Sequence, residues 1–340
     1  MVGQGVLVVN EIGMGNGVLE FPFALALTRR FRRIVHIRSP FLEPLIGTRV
    51  SGAGWEFFPA GWGIDAKHLG CELRQLVSST AVTHLVNFRN EDGGSEWGNC
   101  FAALRDDLRS SGVEVWGLPD DSTTEGSFIQ LQWTEMFEDH GIAPDWVGAS
   151  RLVRSLVSAR PLESGSGAVA VCTGGSREDK RLLPELWAAV VRAIKERCPA
   201  LKVRLVHGAG SDERKLGANL EARIGIVDGG VSVASSVEEL ANELACAAAV
   251  VSNDSFPMHL ACALGRPTLG LFSSTRRVTW GPPDSSRFRG LISESCRSCA
   301  RMPRQGTCWA QQACPSPPNS AWNADAITDE LIDLMNGRSV

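Results

Sequence analysis

The residues with the clearest chemistry lie in one run, Val250-Val-Ser-Asn-Asp-Ser-Phe-Pro-Met-His259, continuing as Leu-Ala-Cys-Ala-Leu-Gly-Arg-Pro267. The apolar stretch ending at Ser252 reads as a buried strand. Asn253, Asp254 and Ser255 are all helix-capping types, and Pro257 suits a first helical turn. Gly265 ends the helix, and the chain returns as a strand at Thr268. This pattern aims a helix N-terminus out of a sheet edge. Its unbonded N–H groups and positive dipole end favour a phosphate or diphosphate, with His259 in the first turn beside the anion. The plain alternative is an ordinary capped helix with a buried histidine.

A second group of chemical interest is made of cysteines. Cys296-Arg-Ser-Cys299, Cys308 and Cys314 crowd into one stretch rich in proline and polar residues. A Cys-x-x-Cys turn lets two thiolates hold one ion, and two later cysteines complete a tetrahedron. A reducing cytosol disfavours disulfides among them. The reading is a structural metal, zinc by default, against a plain loop of free thiols. The other six cysteines (Cys71, Cys100, Cys172, Cys198, Cys246, Cys262) sit in apolar stretches and read as small core residues. A glycine loop, Gly13-Met-Gly-Asn-Gly17, lacks the last glycine of a dinucleotide fingerprint, which argues against a nicotinamide oxidoreductase.

These groups need elements to hold them. Val6–Val9, Ile34–Ile37, His84–Phe88 and Val113–Leu118 read as buried strands, with a helix from Pro22 to Phe31. The segment 161–167 has no apolar periodicity and reads as a linker. The pattern then restarts with strands at Ala168–Thr173, Val203–Val206, Val231–Val233, Ala248–Ser252 and Thr268–Phe272. A helix carries Leu186, Trp187, Val190 and Ile194 at helical spacing, and a last one places Ile327, Leu331 and Leu334 on one face. Alternating strands and helices imply parallel α/β sheets that bind ligands beyond the carboxyl ends of their strands. The domain expectation is 1–160, the linker 161–167, 168–322 with the cysteine-rich segment 296–314, and a helix and tail over 323–340.

The 340 residues are 44% hydrophobic and 21% charged, with a net charge of −4. That length suffices for two cores, and the charge disfavours nucleic acid as a partner. No apolar run approaches the ~20 residues of a membrane-spanning helix. The start, Met-Val-Gly-Gln-Gly-Val-Leu-Val-Val, has no basic region of a signal peptide, so the expected location is cytoplasmic.

Asp254-Ser-x-x-Met-His-Leu-Ala-x-Ala-Leu-Gly-Arg-Pro267, followed by Leu-Phe and Trp280-Gly-Pro-Pro283, resembles the signature of glycosyltransferase family 9, typified by ADP-heptose:lipopolysaccharide heptosyltransferases. Gly15-Asn-Gly-Val-Leu-Glu-Phe-Pro22 is similar to the family's Gly-Asp-x-x-x-x-x-Pro. Thr173-Gly-Gly-Ser-Arg-Glu-Asp-Lys-Arg181 with Leu-Pro-Glu185 resembles its Gly-Ser-x-x-x-Lys-x-Trp-Pro-x-Glu, and Gly208-Ala-Gly-Ser-Asp-Glu213 its Gly-x-x-x-Glu turn. The resemblance implies a GT-B fold, two Rossmann-like domains facing across a cleft. It also implies inverting, metal-independent sugar transfer, with no cofactor for catalysis and ADP-heptose as the donor. Residues matching its donor site are Thr173, Ser176, Lys180, Glu213, Asp254, Ser255 and His259. Lys180 would also carry catalytic charge. Some protein-modifying relatives hold iron in a four-cysteine finger, so the cysteine cluster is compatible with zinc or iron. The acceptor is a glycan, a protein side chain or a small natural product, expected along residues 39–134 and near Arg38, Trp55, Trp62, Arg89 and Trp97. A nucleotide-sugar epimerase shares the expected fold but not the signature.

Two positions depart from the pattern. Asn16 stands where the family has its aspartate base, and an amide cannot take a proton at neutral pH. Glu20, one turn further, or Glu11, at the end of the first strand, is then the expected base, unless the acceptor needs no strong base. The alternative is a nucleotide-sugar-binding paralogue with weak or no transferase activity. Phe256 replaces a glycine and would narrow the donor space or stack within it.

Overall fold

The computed structural model describes residues 5–9, 14–38, 54–59, 74–75, 77, 82–88, 96–118, 128–158, 167–175, 178–225, 227–293 and 322–338. The chain divides into two units, Met1–Leu152 and Val153–Val340.

The first unit carries strands β1 (Gly5–Val9), β2 (Arg33–Arg38), β3 (Gly54–Pro59), β4 (Val82–Asn87) and β5 (Glu114–Gly117). Its helices are α1 (Met14–Leu27), α2 (Glu96–Ser110), α3 (Ile129–Asp139) and α4 (Trp146–Arg154), the last reaching into the second unit. The sheet is parallel, in the order β3-β2-β1-β4-β5. Phe23 of α1 meets Phe88, Trp133, Phe137 and Trp146 at ring-centroid distances of 5.1 to 5.9 Å. These aromatics fix α1 against α3 and α4.

Helix α1 begins at Met14, eight residues earlier than the proline-based expectation, and Pro22 lies inside it. Proline has no N–H to give the carbonyl of Val18 and normally breaks a helix there. Neighbouring elements brace the turn instead. The Leu19 carbonyl accepts from Gln130 Nε2 at 2.7 Å, and the Pro22 carbonyl from the Asp145 N–H at 2.7 Å. Gly15, Asn16 and Gly17 therefore lie in the first turns of a helix, not in a loop. Strand β3 was not anticipated.

The second unit holds β6 (Val169–Cys172), β7 (Val203–Gly208), β8 (Val231–Ala234), β9 (Ala249–Asn253), β10 (Thr268–Phe272) and β11 (Phe288–Ile292). Its helices are α5 (Pro184–Arg197), α6 (Ser211–Ile224), α7 (Val237–Ala245), α8 (Phe256–Ala263), α9 (Arg277–Trp280) and α10 (Ala324–Met335), with a short 3₁₀ turn at Glu178–Lys180. All strands run parallel in the order β11-β10-β9-β6-β7-β8. Every residue of β6, β9 and β10 is buried, as expected of central parallel strands covered on both faces, whereas β8 at the edge is not.

Trp187, Val190 and Ile194 of α5 are buried against this sheet, and Leu186 packs at their edge. Ile327, Leu331 and Leu334 of α10 join the same core. The Asn323 side chain caps α10 by accepting from the N–H groups of Asp325 (2.9 Å) and Ala326 (3.2 Å). Arg289 of β11 ties α10 down through Glu330 at 2.6 Å. Of the cysteines read as core residues, Cys172 is buried, Cys198, Cys246 and Cys262 are half-buried, and the side chains of Cys71 and Cys100 lie outside the description.

At the amino ends of β4 and β5, Glu114 accepts from Trp116 Nε1 at 2.7 Å and faces His84 Nε2 at 3.1 Å and His140 Nδ1 at 3.4 Å. His140 stacks on Trp116, and the Arg30 guanidinium lies over the Trp116 ring at 5.2 Å and the Phe31 ring at 5.8 Å. Burial lowers the His84 pKa below its ordinary 6.5, although Glu114 opposes the shift; Arg30 and His140 add to the lowering. The Trp116 hydrogen bond is the main cause holding Glu114 below the ordinary carboxylate value, with His84 and His140 assisting. A histidine with a depressed folded pKa gives up its proton more readily when folded, so the unfolded chain takes protons first as pH falls. Stability from His84 is thus complete above about pH 6.5 and declines below it, and the Glu114 contribution is lost at still lower pH. Urea unfolding monitored by tryptophan fluorescence should show a falling midpoint from about pH 7 to pH 5, and His84→Gln should flatten that slope. An unchanged slope in His84→Gln would assign the pH dependence elsewhere.

Candidate functional site

In the second sheet the strand order reverses direction between β6 and β9. This switch point is where open α/β sheets leave a crevice for ligands. The chain leaves β6 at Thr173-Gly174-Gly175 and β9 at Asn253-Asp254. The two exits are side by side because Cys172 pairs with Ser252.

Asp254 stands at the centre. Its carboxylate is 3% exposed and accepts from Lys180 Nζ at 3.0 Å. The Thr275 hydroxyl donates to the same oxygen, and His259 Nε2 lies 3.7 Å from the other. Burial alone would push the Asp254 carboxyl up. Lys180, His259 and Thr275 together outweigh it and hold the group well below the usual carboxylate range. The site therefore contains a buried carboxylate, held below its usual pKa, that fixes the Lys180 side chain beside a helix N-terminus.

Helix α8 starts at Phe256 with Ser255 as its N-cap, Pro257 in the first turn and Gly265 beyond its end at φ +73°. The Ser255 hydroxyl does not cap the helix. It donates to the Asn253 carbonyl at 3.2 Å and lies 3.3 Å from Ser252 Oγ. The helix start is thus not sealed by its own side chain. His259 is buried, and its Nδ1 has no hydrogen-bond partner among the described residues; neither have the hydroxyls of Ser273 and Ser274 at the end of β10. Phe256 is itself buried, 7% exposed.

Glu213, in the first turn of α6, also turns into this crevice wall. Its Oε2 accepts from the Gly208 N–H, and its carboxylate lies flat on Gly174. A Cβ at Gly174 would come within 2.5 Å of Glu213 Oε1, so a larger residue there would displace the Glu213 carboxylate from its present place. The neighbouring Asp212 is exposed.

The structure therefore brings together Thr173, Lys180, Glu213, Asp254, Ser255 and His259 within one unit. Ser176, Glu11, Cys296, Cys299, Cys308 and Cys314 lie outside the described residues, as do the side chains of Asn16, Arg38, Trp55, Trp62, Arg89 and Trp97. Among the described residues no group of three or more His, Cys, Asp and Glu is placed to hold a metal ion, and no helix is long and apolar enough to cross a membrane.

Glu20 is not where the sequence placed it. Its side chain is buried between α1 and the first sheet, with Oε2 3.6 Å from Nε2 of the equally buried His36 of β2. Because α1 starts at Met14, Glu20 falls on the inward face of an established helix and not on the rim of its first turn. Thr275 is a site residue the sequence reading missed. Its signal was the hydroxyl run Ser273-Ser274-Thr275 at the carboxyl end of a buried strand. Asn253 was read as a possible cap, but it ends β9 and cross-links backbone.

The family model for glycosyltransferase family 9 (heptosyltransferase) matches residues 128–310, more than half of the chain. Among solved structures, a family 9 glycosyl transferase from Veillonella parvula superposes with a TM-score of 0.67 at 14% identity, over 98% of this chain and 97% of that one. The heptosyltransferase WaaC of E. coli, solved with ADP, gives 0.62 at 16% identity over 97% and 99%. A putative UDP-N-acetylglucosamine 2-epimerase from Listeria monocytogenes gives 0.55 at 12% over 98% and 88%. At these identities the likeness establishes a GT-B fold and does not separate transferase from epimerase; the family model does. No curated protein sequence matches the chain significantly.

A buried ion pair that loses one partner leaves the other uncompensated. Asp254→Asn should therefore cost about 3 kcal/mol or more in urea unfolding. A loss below about 1 kcal/mol would mean that Lys180 swings into water and that the pair is worth no more than a surface one.

Proposed function

The chain belongs to glycosyltransferase family 9, and from that premise we propose that it is an inverting transferase using an ADP-linked sugar, with ADP-heptose as donor, and an acceptor hydroxyl. The observation that carries this reading is the Lys180–Asp254 pair at the switch point of the second sheet, inside the region matched by the family model. The WaaC structure with ADP supports the choice of nucleotide.

In the proposed reaction the acceptor oxygen attacks the anomeric carbon from the face opposite the diphosphate. The bond from that carbon to the phosphate oxygen breaks, and ADP leaves with the bonding electrons. Negative charge grows on the diphosphate as it departs. The Lys180 ammonium, already fixed by Asp254, and the start of α8 are in place to stabilise it without reorganising. Asp254 orients the lysine, and His259 Nε2 lies 3.7 Å from the other carboxylate oxygen. Glu213, held on Gly174 and Gly208, offers a carboxylate to sugar hydroxyls of the nucleotide. The donor-site reading includes Thr173, Ser176 and Ser255 alongside these residues.

The acceptor proton needs a base. Asn16 cannot serve. Glu20 is buried beside His36 among the described residues, and on that ground the proposed role goes to Glu11, ahead of α1. The acceptor class stays as read from the sequence: glycan, protein side chain or small natural product.

Two measurements test this reading. Isothermal titration should show ADP binding to the wild type, and Lys180→Ala should weaken it by about 1–3 kcal/mol, the scale of a charge-assisted hydrogen bond. Equal affinity in that variant would remove Lys180 from the site. With a working acceptor, Glu11→Gln should lower turnover by about 100-fold or more, the scale of a general base. Glu20→Gln should cost stability and leave turnover of the folded fraction within a few-fold of the wild type. The reverse outcome returns the role to Glu20, and tight binding of ADP-sugar without transfer to any acceptor selects the paralogue without activity.

A further inference from the structure

We propose that Asn253 is a positioning residue that holds the Lys180 loop in register with Asp254, so that nucleotide affinity depends on it although it need not touch the nucleotide. This rests on the donor-site reading above.

Asn253 is the last residue of β9 and fully buried. Its Nδ2 donates to the carbonyls of Thr173 at 3.0 Å and Gly174 at 3.1 Å, and its Oδ1 accepts from the Leu182 N–H at 3.3 Å. Three of the amide's four bonding positions are thereby used on a single loop. The two carbonyls belong to the start of that loop, where the chain leaves β6. The Leu182 N–H belongs to its end, two residues past Lys180. One side chain therefore clamps both ends of the segment 173–182. Arg181 Nε, donating to the Gly175 carbonyl at 2.6 Å, closes the loop on itself.

The neighbour in sequence does the complementary job. Asp254 holds the loop's ammonium through Lys180 Nζ, while Asn253 holds the loop's backbone. The same clamp fixes Gly174, on which the Glu213 carboxylate rests. The Lys180 contact is thus indexed to Asn253 through the backbone of its own loop. A side chain of the same shape without donors would set an oxygen against two carbonyl oxygens and release the loop's start.

The test uses ADP as the probe on the full-length protein. Asn253→Asp keeps the acceptor for Leu182 but removes both donors. It should bind ADP about 10- to 100-fold more weakly than the wild type, as expected for the loss of buried hydrogen bonds that organise a charged contact. If Asn253 acts through Lys180, the double variant Asn253→Asp/Lys180→Ala should bind no more weakly than Lys180→Ala alone, because the losses are not independent. A merely structural asparagine would lower the melting temperature and leave the affinity of the folded protein unchanged. Should Asn253→Asp fail to fold, Asn253→Thr, whose branched side chain suits a strand end, carries the same measurement. Wild-type affinity in the folded variant, or losses that multiply in the double variant, would overturn the inference alone. Failure of the wild type itself to bind ADP would overturn the donor reading and this inference with it.

Discussion

A carboxylate taken out of water at Asp254 constrains everything around it. Buried without partners, it would have to take up a proton or unfold the site, because desolvation of a charge is expensive. It remains ionised because Lys180, from a segment 74 residues away, arrives at hydrogen-bond distance, with Thr275 and His259 completing its surroundings. That meeting depends on strand register. Cys172 must sit opposite Ser252, and Leu271 opposite Asn253, for the exits of β6, β9 and β10 to converge. A one-residue slip in either pairing would separate the groups and leave the charge stranded.

The crevice is organised by consecutive residues with different tasks. Asn253 cross-links backbone, Asp254 anchors a cation, and Ser255 starts the helix while turning its hydroxyl back toward the strand. Glycines complete the arrangement by absence of side chain. Gly174 and Gly208 leave the volume that the Glu213 carboxylate fills, and Gly217 leaves that of the His207 ring. Gly174 and Gly208 at strand ends, and Gly217 within α6, thus leave room for the acid and the imidazole beside them. They let backbone and carboxylate approach more closely than any Cβ permits.

The two units share a parallel topology but spend their polar residues differently. In the second, Lys180, Glu213, Asp254 and His259 gather at the carboxyl ends of the strands. In the first, Glu20 and His36 lie together beneath α1, and the His84–Glu114–His140 group sits at the amino ends of the strands. The first unit's described charge clusters are therefore parts of its framework. Pro22 belongs to the same framework: it interrupts α1 where Gln130 and Asp145 are placed to satisfy neighbouring carbonyls.

Much of this was readable without coordinates. Alternating apolar runs and helical periodicity disclosed two parallel sheets, since central strands covered on both faces must be continuously apolar. The run from Asn253 to His259 disclosed a strand ending at a helix start, because capping residues and an early proline have local causes. Glu213 and Lys180 were singled out through spacing matched to a family pattern, and the fold sets both near the carboxyl ends of the second sheet's strands. What stayed hidden depended on contacts between distant segments. Pro22 looked like a helix start because nothing local shows that α3 and the segment before α4 support the interrupted turn. Glu20 looked like an accessible carboxylate because its depth depends on where α1 begins and which face meets β2. Thr275 and the bonds of Asn253 were invisible for the same reason. Local sequence determines what a segment can form, but which side chains meet at a strand end is decided by register and packing, and only the folded sheet sets those.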